Sequence, residues 1–192
     1  MTRRYENMCK VFIIAGKTGA GKSTISEWIN IEFGFPVISF ANIGKTFALN
    51  HGKKRLRECY QTMEKTIFVH SLTDAIISTI HGAVDNNDVL IVDGLYAYDA
   101  IQDMRKTCKV IVIYIQAEDS ARYARISKRL EIGEYSAKKE DQLKEQIKTD
   151  LGNNRILEAA DYLINGNASL DSVKESIKKI VLKETTIICR DD

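Results

Sequence analysis

The sequence predicts an α/β protein built on a mostly parallel, doubly wound sheet with helices on both faces. Three observations carry that prediction. Apolar runs of strand length at 11–15, 89–92 and 109–115 recur along the chain, with helical stripes between them. Strands alternating with helices pair in parallel, because each crossover brings the chain back to the end of the sheet where it began. The third is Gly16-Lys17-Thr18-Gly19-Ala20-Gly21-Lys22-Ser23-Thr24, directly after the first run. It fits G-x-x-x-x-G-K-[ST], a phosphate-binding P-loop that belongs between a strand and a helix.

Taken in order, residues 1–8 are polar and are expected to fray. The first strand covers about 9–15. Ile25, Trp28, Ile29 and Phe33 mark a helix that Gly34 and Pro36 end. A short strand at 36–40, a weakly helical stretch to about His51 and a turn at 52–55 come next. Leu56, Tyr60, Met63, Ile67, Leu72, Ile76 and Ile80 then form one long core-facing stripe that ends near Gly82. After a turn at 85–88, the strand 89–92 ends in Asp93. A short helix over 97–106 leads to the strand 109–115. Glu118 and Asp119 open a helix that runs to about Arg129. Residues 131–141 are polar and lack periodicity. A further helix to about Gly152, a short strand at 161–164 and a closing amphipathic helix through Leu170, Val173, Ile177 and Val181 complete the chain.

With 192 residues the chain is read as one domain over 1–192 with enough length for a proper core. A net charge of +2 is too small to demand nucleic acid or an anionic membrane as an obligatory partner. No apolar run is expected to reach the ~20 residues that cross a bilayer. The four cysteines, Cys9, Cys59, Cys108 and Cys189, have no C-x-x-C spacing and read as reduced thiols, which suits the cytoplasm. His51, His70 and His81 show no metal-ligand arrangement.

The chemistry concentrates around the P-loop. Glycines at 16, 19 and 21 let backbone N–H groups close on phosphate oxygens. Lys22 supplies a mobile point charge, and the Ser23 hydroxyl suits Mg²⁺. The following helix aims its positive end at the same anion. Asp93, at the end of an apolar strand, supplies the carboxylate that such sites turn toward the metal, and a strand-end cap is the plainer alternative. Arg122, Arg125 and Arg129 at i, i+3 and i+7 share a helix face beside the polar stretch. They either close on a transferring phosphoryl group or pair with Glu118, Asp119 and Glu131 as solvated surface. Lys53, Lys54, Arg55 and Arg57 form a second cationic cluster, in which Arg55 and Arg57 are the candidates for an acidic ligand.

These residues together resemble a known group. The P-loop, Ser39-Phe-Ala41, Val-Asp93-Gly94 and Arg122-x-x-Arg125-x-x-x-Arg129 look like the nucleoside monophosphate kinase group of P-loop kinases. Gln146 and Arg155-Ile-Leu-Glu-Ala-Ala-Asp161-Tyr-Leu-Ile-Asn165 are similar to the tail of dephospho-coenzyme A kinases and of adenylate-kinase-like proteins. The resemblance spans roughly 9–182. It implies a three-layer P-loop NTPase fold with sheet order 2-3-1-4-5, ATP as donor, Mg²⁺, a lid at about 125–145 and an acceptor-binding segment at about 40–80. By the same matching, Arg129 and Arg155 are candidates for donor or transition-state contacts, and the loop from Asn165 for a wall against the adenine.

Two departures bear on the acceptor. Dephospho-coenzyme A kinases carry an aspartate just after the second strand, where this chain has Ser39-Phe-Ala-Asn42, and asparagine cannot take a proton. Monophosphate kinases place an arginine soon after the strand-three Asp-Gly, where this chain has Leu95-Tyr96. The sequence thus points to a Mg²⁺- and ATP-dependent kinase, monomeric or homodimeric, acting on a small nucleotide-like acceptor, with Asn42, Arg55, Arg57 and Tyr96 at the acceptor site. A nucleotide-binding switch without a small-molecule acceptor is the alternative. A kinase of polynucleotide ends fits the low net charge less well.

Overall fold

The computed structural model describes residues 8–185. Its centre is one five-stranded sheet, with β1 at Lys10–Ala15, β2 at Val37–Ser39, β3 at Val89–Asp93, β4 at Lys109–Gln116 and β5 at Tyr162–Asn165. The strand order is β2-β3-β1-β4-β5, and every pairing is parallel. β1 is flanked on both sides and all six of its residues are buried, so beyond Lys10 it reads as an unbroken apolar run rather than as alternation.

The two faces of β1 seed two cores. Val11, Ile13 and Ala15 point into one core with Leu90, Val92, Val112 and Tyr114. Helices α2 (Phe40–Asn50), α4 (Lys65–Val84) and α5 (Tyr98–Met104) cover that face. Phe12 and Ile14 point into the other with Ile91 and Ile113, under α1 (Lys22–Phe33) and α9 (Leu170–Thr185). The layers are therefore helix, sheet, helix, as the sequence predicts. Gly34 ends α1 in the left-handed region and returns its N–H to Asn30 O.

Two stretches differ from the sequence reading. The long stripe from Leu56 is broken into α3 (Leu56–Thr62) and α4. Glu64 caps α4 by accepting from the N–H groups of Thr66 and Ile67 at 2.9 and 3.0 Å. The break resets the register, so Phe68 is fully buried while Ile67 is 57% exposed. α4, at 20 residues and mean hydropathy 1.3, is also long and apolar enough to cross a membrane by length and composition, which the sequence reading did not expect. In this fold its Phe68, Leu72, Ile76 and Ile80 face the core.

The polar stretch at 131–141 is largely helical. α6 (Asp119–Leu130) is followed by α7 (Glu134–Asp150), and α8 (Asn153–Glu158) leads into β5. The inner face of α7 includes Ala137, Asp141, Ile147 and Lys148. Two of these four are charged, so hydrophobic periodicity does not register the helix. Cys9, Cys59 and Cys108 are free thiols, and Cys189 lies outside the described residues.

Candidate functional site

The P-loop leaves β1 at Gly16, whose φ of +138° and contact with the β4 backbone exclude a side chain: a Cβ there would sit 2.4 Å from Ile115 O. Gly19 is equally confined, since its Cβ would lie 2.7 Å from Arg122 O. Among the described residues no side chain caps α1, and its first turn holds no acidic residue. Its unpaired N–H groups are left for an anion.

Beyond the carboxyl ends of β1 and β3 opens a cavity of about 900 Å³. Gly19, Gly21, Lys22, Ser23 and Thr24 form one side of it, with Asp93, Gly94 and Tyr96 beside them. Among the described residues, nine lysine and arginine side chains line this cavity against a single carboxylate, Asp93. Lys45, Lys54, Arg55, Arg57 and Arg129 are among them, and none of these five has an ion-pair partner among the described residues.

Ser23 Oγ donates to Asp93 Oδ2 at 2.8 Å, a pairing of residues 70 apart in sequence. Asp93 is buried, and its Oδ1 has no hydrogen-bond partner among the described residues. A hydroxyl, a carboxylate and an orphaned carboxylate oxygen at the mouth of a phosphate cradle suit Mg²⁺, which takes few protein oxygens and keeps waters and phosphates for the rest. No group of three or more His, Cys, Asp or Glu side chains arranged for a metal occurs among the described residues.

Lys22 is buried, and its Nζ donates to Lys17 O at 2.9 Å. Burial, then the nearby Lys148, push its pKa down to about 7, against the pull of Asp93, Glu145 and Asp141. Lys148, from α7, donates to Thr18 Oγ1 at 2.6 Å and to Glu145 Oε1 at 2.5 Å. Burial lowers its pKa as well. Tyr96 is buried between these groups, and its edge packs on Phe40 with centroids 5.2 Å apart. Burial, then Asp93, keep its phenol protonated well above the usual range.

The helix-face arginines divide their work. Arg122 is 1% exposed and braces the loop, donating to Thr18 O at 2.6 Å, Asp141 Oδ2 at 2.9 Å and Asp119 Oδ1 at 2.8 Å. Arg125 lines the cavity and donates to Gly19 O and Gly166 O. Arg129 also lines the cavity. Lys17 is exposed and lies 3.7 Å from Asp119, and Ala20 is buried in the core.

Other candidates lie apart from the main cavity. Asn42 is exposed on α2, although its neighbours Phe40 and Ala41 line the wall. Arg155 stacks on Tyr98 at 3.8 Å and pairs with Asp99, away from the cavity lining. Asn165 lines a second cavity of about 440 Å³ with Gln116, Glu118 and Asn167. The sequence reading missed Lys148. The one local signal for it is Lys144 four residues earlier, because that spacing puts both lysines on one helix face, and both line the cavity.

No family model matches the chain. Among curated proteins it is similar to a UPF0200 protein of Hyperthermus butylicus, 21% identical over 177 residues and covering 91% of this chain and 95% of that one. A UPF0200 protein of Staphylothermus marinus is 23% identical over 185 residues, covering 90% and 92%. Among solved structures, shikimate kinase from Bacteroides thetaiotaomicron superposes with a TM-score of 0.60 at 18% identity, covering 92% of this chain and 99% of that one. Deoxyadenosine kinase from M. mycoides, with bound dCTP, superposes with a TM-score of 0.53 at 17% identity, covering 90% and 99%. This chain has the P-loop kinase fold. The sheet order expected from the resemblance is the one observed, and the UPF0200 designation of the relatives names no activity.

Proposed function

We propose that this protein is a Mg²⁺- and ATP-dependent kinase that transfers a phosphoryl group to a small, anionic, nucleotide-like acceptor. The observation that carries the reading is the charge of the cavity beside the P-loop, nine basic side chains against one carboxylate among the described residues. Its volume of about 900 Å³ lies at the upper end of ordinary ligand clefts, enough for a donor and a second small molecule.

In this reading the loop N–H groups and Lys22 hold the donor phosphates. Ser23 and Asp93 would hold Mg²⁺, which when bound neutralises charge on the phosphate oxygens. Arg129, with Arg125 beside it, supplies cations toward the charge that spreads over the transferring group. Arg55 and Arg57 face the same space and grip the acceptor's anion, which guanidinium can do bidentately. A phosphate acceptor brings an oxygen that is already ionised. No general base is then needed, and Asn42 poses no difficulty. An alcohol acceptor would have Asp93 as the single carboxylate in the lining, among the described residues, able to take its proton.

The test is ADP release from Mg-ATP, screened against ribo- and deoxynucleoside monophosphates, dephospho-coenzyme A and shikimate. A single strong anionic acceptor, with turnover abolished in Lys22→Ala, is the expected result. Turnover retained in Lys22→Ala would sink the assignment. ATP binding that no acceptor stimulates would favour a nucleotide-binding switch instead.

A further inference from the structure

The P-loop motif accounts for one lysine at the phosphates, yet the fold brings two. Lys22 Nζ lies 5.5 Å from the centroid of the Tyr96 ring, and Lys148 Nζ lies 4.6 Å from the same centroid. Lys148 is 5% exposed and reaches across from α7 to hydrogen-bond Thr18 within the loop. Its one ion-pair partner among the described residues is Glu145, on its own helix, at 2.5 Å. The electron-rich ring face offers the two ammonium groups a weak common partner in the interior. Buried cations persist where an anion completes them, and the cradle beside these two is built for one.

α7 is also held at its C-terminal residue, two positions beyond Lys148. Asp150 Oδ2 accepts from Tyr60 on α3 at 2.6 Å, and Asp150 Oδ1 pairs with Lys65 on α4 at 2.8 Å. Tyr60 and Lys65 both fall within 40–80, the segment that the resemblance assigns to the acceptor. The helix that delivers Lys148 to the loop is thus tied to that segment.

We propose that Lys148 is a second phosphate-binding lysine, delivered onto the P-loop by α7, which leaves Thr18 to contact the terminal phosphate of the bound nucleotide. The proposal rests on reading the loop as a nucleotide site, but not on the identity of the acceptor.

The experiment is calorimetric titration of ATP and of ADP, each with Mg²⁺, into the parent protein and into Lys148→Met, Lys148→Gln, Lys148→Arg and Lys139→Met. Lys139 is exposed on the same helix and outside the cavity lining, so its variant controls for net charge. Lys148→Met is expected to weaken ATP at least tenfold and ADP much less, while Lys148→Arg and Lys139→Met stay within about threefold of the parent. Lys148→Gln keeps a donor for Thr18 and is expected to show the same selective loss, which covers the case in which the Met variant does not fold. ATP affinity within twofold of the parent in a folded Met or Gln variant would overturn the proposal alone. A parent protein that binds neither nucleotide would overturn it together with the kinase reading.

Discussion

Replacing Asp141 by Asn tests whether α7 is a fixed part of the phosphate site. Arg122 and Asp141 are 1% and 2% exposed and meet at 2.9 Å, so neither charge has water to fall back on. Removing one member of a buried pair costs about 3–5 kcal/mol, because the other is left charged and uncompensated. Here Arg122 keeps two acceptors, Thr18 O at 2.6 Å and the more exposed Asp119 at 2.8 Å. The loss therefore belongs at the low end, about 3 kcal/mol, or a fall in Tm of roughly 6–12 °C for a chain of this length. Urea unfolding with an unchanged m-value measures it directly. A double-mutant cycle with Arg122→Met should return a coupling of at least about 1.5 kcal/mol. A cost below about 0.5 kcal/mol for Asp141→Asn, or strict additivity in the cycle, would refute a buried pair fastening α7 to the loop.

Three further outcomes follow from the same geometry. Gly16→Ala should cost about 2 kcal/mol or more and disrupt ATP binding, since its Cβ meets a backbone carbonyl at 2.4 Å; Gly21→Ala, with nothing within 4 Å, carries only the strain of a positive φ, and urea midpoints separate the two. Phe68→Ala should cost about 3–5 kcal/mol and Ile67→Ala close to nothing; equal losses would mean that α3 and α4 form one continuous helix. Lys22 is the pH probe. Its folded pKa of about 7 lies below the ordinary lysine value of 10.5, so its penalty is fully present below pH 7 and fades as pH rises toward 10.5. Lys22→Met should therefore raise the stability of the nucleotide-free protein at pH 6–7 by up to a few kcal/mol, with the gain shrinking by pH 10. A gain that grows with pH would contradict that sign.

Much of this protein was legible from sequence because its signals are local. The strands in the middle of the sheet are buried on both faces, so they read as apolar runs, and the P-loop is a contiguous motif whose glycines are required by backbone geometry at 16 and 19. Asp93 could be singled out because it ends such a strand. The strand order could not be read from periodicity and came from the resemblance. Where the sequence reading departed from the structure, the deciding contacts were of another kind. The apolar stripe through Met63 looks continuous, yet a single carboxylate cap at Glu64 ends one helix, starts another and turns Phe68 inward in place of Ile67.

The site divides along the same line. Sequence by itself determined that a P-loop motif follows the first strand and that a carboxylate ends the third. Only the tertiary structure decided that Ser23 meets Asp93, that Arg122 is engaged as a brace while Arg129 lines the cavity, and that Lys148 arrives 130 residues after the threonine it touches. The physical reason is range. Backbone conformation and burial leave periodic, short-range traces in a sequence, whereas a buried charge is placed by partners on other elements, and those partners are chosen by the packing of the helices that carry them.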